Sequence, residues 1–173
     1  MEQKTDNMNP PAKLSDLIQT FEIETDTGEY HCYFDRKTGQ VVLVDDTVYR
    51  HVEESDDEAL EDVPEWQKEQ IEIARAVLSD NEKRFISPPD KFDFHEYRHM
   101  ERFIASLPDR SAADALFYAI KGRGAFRRFK DMLDQMGILD QWFKYREEAM
   151  KRYVIEWAED KNVPYEDDTG SSK

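Results

Sequence analysis

The chain is organised around one short stretch, Lys121-Gly-Arg-Gly-Ala-Phe-Arg-Arg-Phe-Lys130. It joins two segments whose apolar residues recur with helical spacing, and a glycine lies on each side of Arg123. Glycine tolerates the left-handed backbone that commonly ends a helix, so the pattern predicts a helix end, a tight turn and a new helix start. The stretch is also the one local concentration of positive charge in the sequence.

The charge of the chain is strongly acidic and unevenly distributed. At 173 residues the length suits one domain, and the net charge is -15. Residues 1–120 hold 13 basic and 28 acidic side chains, whereas residues 121–152 hold 9 basic and 5 acidic ones. Nucleic acid and anionic membranes repel such a chain overall. Any binding of an anion must therefore be local to residues 121–152.

The sequence predicts a protein of the reducing cytoplasm. Cys32 is the single cysteine, so it has no internal partner for a disulfide, and we interpret it as a structural thiol. No apolar run approaches the ~18 residues of a membrane span. The N-terminus lacks the apolar core of a signal peptide. We therefore expect a soluble cytoplasmic protein that makes no membrane contact.

The N-terminal third predicts one small β element. Residues 1–13 are polar and predict a disordered tail, after which Ser15 is a candidate N-cap of a short helix. The runs 30–34 and 40–44 are rich in β-branched and aromatic residues, and they predict an antiparallel hairpin over 30–44. The segment 45–62 is acidic and weakly patterned, which favours a solvated linker over a site for a divalent cation.

A helical body follows over residues 64–161, and the polar segment 162–173 predicts a second disordered tail. Pro64, Asp93 and Ser111 are start signals of helices, and Gly137 is an end signal. Helices are expected over about 65–79, 93–107, 111–121, 125–136 and 139–160. Together with the hairpin they predict an α+β, mostly α fold of about five to six helices, forming a single domain over residues 14–161.

Several stretches recur together in a known family. They are Leu14-Ser-Asp-Leu-Ile, Tyr33-Phe-Asp-Arg-Lys-Thr-Gly-Gln-Val-Val42, Tyr97 with Met100-Glu-Arg-Phe-Ile104, Gly122-Arg-Gly-Ala-Phe-Arg-Arg-Phe-Lys130 and Trp142-Phe143. In these stretches the chain resembles bacterial Uncharacterised Protein Family 0158 over roughly residues 14–157. The Gly-x-Gly-Ala-Phe-Arg-Arg-Phe-Lys run is the specific part. The resemblance implies a bacterial cytoplasmic protein and carries no biochemical activity over to it.

The central stretch has a physical route to anion binding. A helix that starts after a glycine turn presents free N–H groups and partial positive charge. Arginine adds positive charge and can donate two parallel hydrogen bonds to a carboxylate or phosphate group. The candidate ligand-binding residues are Arg123, Arg127, Arg128, Lys130, Trp142 and Arg146. The alternative is that these arginines pair with the many acids of the same chain.

Arg146 is the most unusual of these candidates. It lies one helical turn from both Trp142 and Met150, inside an apolar stripe. A buried arginine needs a partner, for which Asp114 and Glu101 are candidates, unless its stem packs over Trp142 and its head reaches water. Trp142 itself is either a core residue or a stacking surface for single-stranded nucleic acid, and its helical spacing favours the core.

The run His95-Glu-Tyr-Arg-His99 matches the H-E-x-x-H pattern of zinc hydrolases. In such enzymes two histidines four apart on a helix bind zinc, and the glutamate, here Glu96, polarises the bound water. No third ligand is evident nearby, and Arg98 places a cation beside the proposed ligands. The pattern favours two exposed helical histidines over a metal site.

These observations favour a non-enzymatic interaction or regulatory module that uses the basic turn Gly122–Lys130. The sequence predicts no catalytic residue, no cofactor and no metal site. A protein carrying acidic groups is the expected partner. Nucleic acid or a phosphorylated ligand at the same turn is the first alternative, and a zinc-dependent hydrolase built on His95, Glu96 and His99 is the second.

Overall fold

The computed structural model describes residues 9–23 and 28–170 of the chain. Over these residues the fold is α+β and mostly α, with small sheets, as the sequence predicts. The two segments that the sequence assigns to disordered tails fall partly outside the described residues. Their described parts include Ala12–Lys13 and Tyr165–Glu166, two short strands that pair in parallel.

The chain divides into two compact units, which are Met1–Asp90 with Val154–Lys173, and Lys91–Tyr153. The described part of the first unit contains β1 (Ala12–Lys13), α1 (Leu14–Gln19), a 3₁₀ turn (Thr20–Glu22), β2 (Tyr30–Asp35), β3 (Gln40–Asp45), α2 (Asp46–Glu53), α3 (Asp57–Glu61), α4 (Glu65–Leu78), β4 (Phe85–Ile86) and β5 (Tyr165–Glu166). The second contains α5 (Lys91–Phe94), α6 (Glu96–Ser106), α7 (Arg110–Ala119), α8 (Ala125–Gln135) and most of α9 (Leu139–Asp160). The last turns of α9 belong to the first unit.

The main sheet has three strands in the order β3-β2-β4, and all its pairs are antiparallel. The two strands expected to form a hairpin pair from Tyr30↔Asp45 to Asp35↔Gln40. The expectation of one hairpin is nevertheless incomplete, because Phe85–Ile86 adds a third strand to the sheet. A two-stranded hairpin is marginal in water, and the third strand and the packed helices stabilise it.

Asp35 holds the turn between β2 and β3. Its carboxylate accepts hydrogen bonds from the Lys37 N–H and the Thr38 hydroxyl, and it receives two 2.7 Å bonds from Arg84, which precedes β4. Gly39 closes the turn with a φ of +71°, and a Cβ there would lie 2.7 Å from the Pro10 carbonyl oxygen. The turn therefore requires glycine for its backbone and for the close approach of the N-terminal segment.

Each unit buries its own apolar cluster. In the first, Val44 of β3 packs with Val48 of α2 and with Ile71 and Ala74 of α4. In the second, α6, α7, α8 and α9 share a larger cluster, whose buried members are Met100, Phe103, Ile104, Leu107, Ala113, Leu116, Ile120, Ala125, Phe129, Leu133 and Trp142. Most of these residues belong to the apolar stripes that the helical spacing predicts.

The expected number of helices was too low. Eight α-helices of five residues or more lie within the described residues, together with the single turn α5. Two of the additional helices, α2 and α3, occupy the acidic segment 45–62, for which the sequence favours a solvated linker. Asp45 accepts hydrogen bonds from the N–H groups of Thr47 and Val48, and Asp56 caps α3 in the same way. Acidic residues there act as helix N-caps.

Two predicted helix starts were also placed differently by the structure. The N-cap position of α1 is Lys13, whereas Ser15 lies within the first turn of that helix. The helix expected over 93–107 is broken at His95, whose φ of +52° is left-handed, so that α6 begins only at Glu96. Left-handed backbone cannot continue a right-handed helix.

The apolar spacing of the helices predicts buried positions for four aromatic residues that the structure exposes. They are Trp66 of α4, Tyr97 of α6, Phe126 of α8 and Phe143 of α9. Each lies at the edge of its helix's apolar stripe, where a small rotation of the helix moves a side chain from the core to solvent. In α8 the buried face is set by Ala125, Phe129 and Leu133.

Candidate functional site

The turn between α7 and α8 contains two glycines in left-handed backbone. The helix α7 ends at Ala119, Gly122 has a φ of +77° and Gly124 a φ of +76°, and α8 begins at Ala125. The helix end, tight turn and new helix start therefore lie where the sequence predicts them. Two left-handed residues so close together reverse the chain within a few residues, for which glycine is suited.

Arg128, which is itself exposed, fixes the conformation of this turn with its guanidinium group. Its Nε donates to the Ala119 carbonyl at 2.9 Å, Nη2 to the Lys121 carbonyl at 2.6 Å and Nη1 to the Arg123 carbonyl at 2.5 Å. These acceptors are carbonyl groups at the end of α7 and in the turn, which have no helical partner of their own. Arg128 is therefore committed to the fold, but through backbone carbonyl groups and not through the acidic side chains that the sequence analysis considered.

The neighbouring cations remain exposed. The Arg127 side chain is 90% exposed, and its Nε lies 3.9 Å from the carboxylate of Asp131. Arg123 and Lys130 are also exposed. A surface ion pair at this distance contributes little, so Arg127 is available to another anion.

Two aromatic side chains accompany these cations. Tyr118, at the end of α7, is 77% exposed, and the Lys121 ammonium lies 5.9 Å from its ring centroid. Phe126 is 47% exposed and lies one helical turn from Lys130, so both occupy the same side of α8. We call the set the basic turn surface: Tyr118, Lys121, Arg123, Phe126, Arg127 and Lys130.

Trp142 lies in the core of the second unit. It is 2% exposed, and its ring meets those of Phe103 at 5.4 Å, Phe129 at 5.0 Å and Tyr145 at 6.1 Å between centroids. T-shaped and stacked pairs of this kind stabilise a core beyond their buried area. The structure thus places Trp142 apart from the exposed residues of the basic turn surface.

Arg146 forms an ion pair with Glu96, the first residue of α6. Its Nε donates to the Glu96 carboxylate, and its Nη2 lies 3.4 Å from the second oxygen. The sequence suggested Asp114 or Glu101 as partners, and this assignment was wrong. Both of those side chains are exposed, whereas Glu96 is presented by the late start of α6.

The two histidines of the H-E-x-x-H pattern do not share a helical face. His95 precedes α6 in left-handed backbone, whereas His99 lies within the helix and stacks on Phe94 at 4.2 Å. Burial lowers the pKa of His99, and the nearby Arg102 lowers it further. No group of three or more His, Cys, Asp or Glu side chains among residues 9–23 and 28–170 is placed to hold a metal ion.

A model of a known protein family matches residues 8–169, which is nearly the whole chain. The chain belongs to the uncharacterised protein family UPF0158. The resemblance seen in the sequence is thereby confirmed. Neither the curated proteins nor the solved structures contain a match to this UPF0158 chain.

Charge in this UPF0158 protein is divided between the two units. Residues 91–153 hold 13 basic and 10 acidic side chains, a net charge of +3, whereas the rest of the chain holds 11 basic and 29 acidic ones, a net charge of -18. The basic turn surface lies entirely in the positive unit. In the part of the chain that the structure describes, no helix combines the length and apolarity needed to cross a bilayer.

The structure adds three residues, Tyr118, Lys121 and Phe126, to the site that the sequence predicts for this UPF0158 protein. Tyr118 was not among the candidates, and Lys121 was recognised only as part of the charged stretch. The spacing of three residues between Tyr118 and Lys121 was the available signal, because the turn after α7 brings them together: the Lys121 N–H donates to the Tyr118 carbonyl at 3.3 Å. Cys32 stays outside the site, and burial raises the pKa of its thiol to about 11, which keeps the thiol protonated and unreactive.

Proposed function

We propose that this UPF0158 protein is a cytoplasmic, non-enzymatic interaction module that binds an acidic segment of a protein partner at the basic turn surface. The observation that carries the proposal is that the cations of the turn differ in role, because one stabilises the turn and the others are available for binding. Arg128 donates three hydrogen bonds to backbone carbonyls. Arg123, Arg127 and Lys130 stay exposed around it. A rigid turn that presents cations is preorganised for carboxylates, which reduces the entropy cost of binding.

The exposed aromatic rings favour a protein partner. Tyrosine and arginine are enriched among residues that dominate the energy of protein interfaces. Tyr118 is 77% exposed and Phe126 is 47% exposed, and both lie beside cations. A partner segment with carboxylates and apolar side chains would satisfy both features of the surface.

The charge of the whole chain argues against a long polyanion as the ligand. A net charge of -18 outside residues 91–153 repels a nucleic acid strand wherever the strand extends beyond the positive surface. An acidic peptide carries its charge over a shorter length, and at physiological salt the repulsion is screened beyond about 8 Å.

Single-stranded nucleic acid or a phosphorylated ligand is the second candidate. Its support is the Tyr118 ring, which is exposed and has the Lys121 ammonium 5.9 Å from its centroid. Bases stack on such rings while cations neutralise phosphates. The two candidates differ in salt dependence, because release of counterions from nucleic acid makes affinity fall steeply with salt.

Fluorescence anisotropy with defined probes tests the proposal on the full chain. The probes are a labelled ten-residue peptide rich in Glu and Phe, the same peptide with Ser at the Phe positions, and an oligouridylate of equal length. The Glu–Phe peptide is expected to bind best. Its affinity should fall at least about fivefold in Arg127→Ala/Lys130→Ala, since two charge contacts are lost.

Arg98→Ala/Arg102→Ala is the matched control. It removes the same charge from exposed positions of α6 in the same unit, and it should change affinity less than about twofold if the site is local. Equal losses in both variants would contradict a local site. Tighter binding of the oligouridylate, with a steep salt dependence, would establish the nucleic acid candidate instead.

A further inference from the structure

The segment from Glu53 to Glu72 is a strongly acidic part of the first unit. It comprises the end of α2, all of α3 and the first half of α4. Ten of its side chains are acidic and one, Lys68, is basic. The Lys68 ammonium lies 2.7 Å from the Glu65 carboxylate, so the one cation of the segment is already paired. We call residues 53–72 the acidic segment.

The acidic segment also carries an exposed aromatic anchor. Trp66, the second residue of α4, is 61% exposed. The buried residues of α4 are Ile71 and Ala74, and Trp66 is not among them. An exposed apolar ring within an acidic segment is the chemical complement of the exposed Tyr118 and Phe126 rings within a basic one.

We propose that the acidic segment of a second copy of this chain is a partner of the basic turn surface. This inference rests on the proposed function and names the partner. One chain carries both complementary surfaces, each with charge of one sign and an exposed aromatic residue. Arg127, whose side chain is 90% exposed, has its ion pair with Asp131 of its own helix at 3.9 Å, which leaves it free to exchange that partner.

Each copy of the chain offers one basic turn surface and one acidic segment. Two copies can therefore meet through one such contact, or reciprocally through two contacts in a dimer with two-fold symmetry. Self-association is therefore expected to grow with protein concentration. It should weaken as salt screens the opposite charges.

Analytical ultracentrifugation of the full chain measures this association. At about 50 mM salt, where the screening length exceeds 10 Å, the weight-average mass is expected to rise with concentration; at about 1 M salt it should return to that of the monomer. A wild-type protein that remains monomeric at every concentration at low salt overturns the inference.

Two variants, each with one surface disabled, test which surfaces meet. Arg127→Ala/Lys130→Ala disables the basic turn surface, and Glu65→Gln/Glu69→Gln/Glu72→Gln disables the acidic segment. Each variant alone is expected to be at least about tenfold weaker in self-association, because it loses contacts worth about 1.4 kcal/mol or more. Mixed in equal amounts, each supplies the surface that the other lacks, and they should form a species of twice the monomer mass.

Arg98→Ala/Arg102→Ala is again the control and should associate like the wild type. Association that survives in Arg127→Ala/Lys130→Ala, or a mixture that forms no heterodimer, overturns the inference. Circular dichroism confirms that each variant is folded. The proposed function is tested separately by the peptide, because binding of the Glu–Phe peptide without self-association leaves that function intact and removes only the second copy as its partner.

Discussion

Arg127 and Arg128 are adjacent in sequence and differ in what they contact. The guanidinium of Arg128 donates to the carbonyl groups of Ala119, Lys121 and Arg123, whereas the Arg127 Nε lies 3.9 Å from the Asp131 carboxylate. In a helix, neighbouring residues point about 100° apart, so one side chain faces the turn and the next faces solvent. The same residue type thus serves the fold at one position and is available for binding at the next.

This difference predicts that two neighbouring substitutions have unequal effects on stability. Arg128→Ala removes charge-assisted hydrogen bonds to carbonyl groups and is expected to lower the free energy of unfolding by about 1–3 kcal/mol. Arg127→Ala removes one exposed ion pair and should change it by no more than about 0.5 kcal/mol. Urea unfolding followed by circular dichroism measures both. Equal effects would show that Arg128 does not hold the turn.

Asp35 provides a second prediction, and it concerns pH. Burial alone would raise the pKa of Asp35, but the hydrogen bonds from Arg84, Lys37 and Thr38 outweigh burial and lower it. A carboxyl whose pKa is lower in the folded state stabilises the fold above its unfolded value, about 3.9. That contribution is lost as the pH falls through the folded value. Asp35→Asn should cost about 2–4 kcal/mol at pH 7, since Arg84 loses its charged partner.

Urea unfolding at several pH values checks the sign of this effect. The difference in stability between the wild type and Asp35→Asn is expected to be constant from pH 7 to about pH 5 and to shrink below about pH 4. Asp62→Asn, at an exposed position of the same unit, is the control and should show no such dependence. A difference that grows on acidification would contradict the assigned direction.

The short helix α1 is capped by a residue from the far end of the chain. Its N-cap position, Lys13, makes no capping hydrogen bond, and the Ser15 N–H donates to Asp168 Oδ1 at 2.9 Å while the Ser15 hydroxyl donates to Oδ2 at 2.5 Å. The hydrogen bonds from Ser15 lower the pKa of Asp168. The pairing of β1 with β5 brings the two segments together.

Removal of this cap should loosen α1 locally. Asp168→Ala leaves the first-turn N–H groups of α1 without the carboxylate, so faster amide hydrogen exchange is expected over residues 14–19. Glu156→Ala, at an exposed position of α9, is the control and should leave exchange there unchanged. Protection that persists in Asp168→Ala would show that packing of Leu14 and Leu17, rather than the cap, holds the helix.

The strongly periodic helices were predictable from sequence, and the short elements were not. Apolar spacing located α4, α7, α8 and α9 because their buried faces repeat over several turns. The helices α2 and α3 were missed because their acidic composition indicated a linker. Their stability comes from N-capping by Asp45 and Asp56 and, for α2, from packing of Val48 on α4. The two-residue strands β1, β4 and β5 are too short to carry a pattern.

The sequence located the candidate site but did not show which role each of its residues has. Charge and glycine spacing indicated the turn correctly. They did not distinguish Arg128 from Arg127, because that distinction depends on which carbonyl groups lie within reach after α7 and α8 have packed. Likewise, Arg146 was recognised as unusual inside an apolar stripe, but its partner Glu96 was not identified. Glu96 begins α6 because the helix is broken at His95, and no local pattern predicts that break.

The helix α9 belongs to both compact units. This bears on whether residues 14–161 unfold together, as the expected single domain would. It runs unbroken through Leu139–Asp160, whereas the boundary between the units falls after Tyr153. Unfolding one unit alone would leave part of this helix without its tertiary contacts, and most helical stability comes from such packing. We therefore expect residues 14–161 to unfold in one cooperative transition.

Tryptophan fluorescence can test this expectation in each unit separately. Trp142 packs in the core of the second unit, and Trp157 contacts Phe34 of the first at 5.6 Å between ring centroids. The variant Trp66→Phe/Trp157→Phe leaves Trp142 as reporter, and Trp66→Phe/Trp142→Phe leaves Trp157. In each variant the fluorescence midpoint in urea should coincide with that of far-ultraviolet circular dichroism, since both follow the same transition. Midpoints that separate within one variant would establish two independently unfolding domains joined through α9.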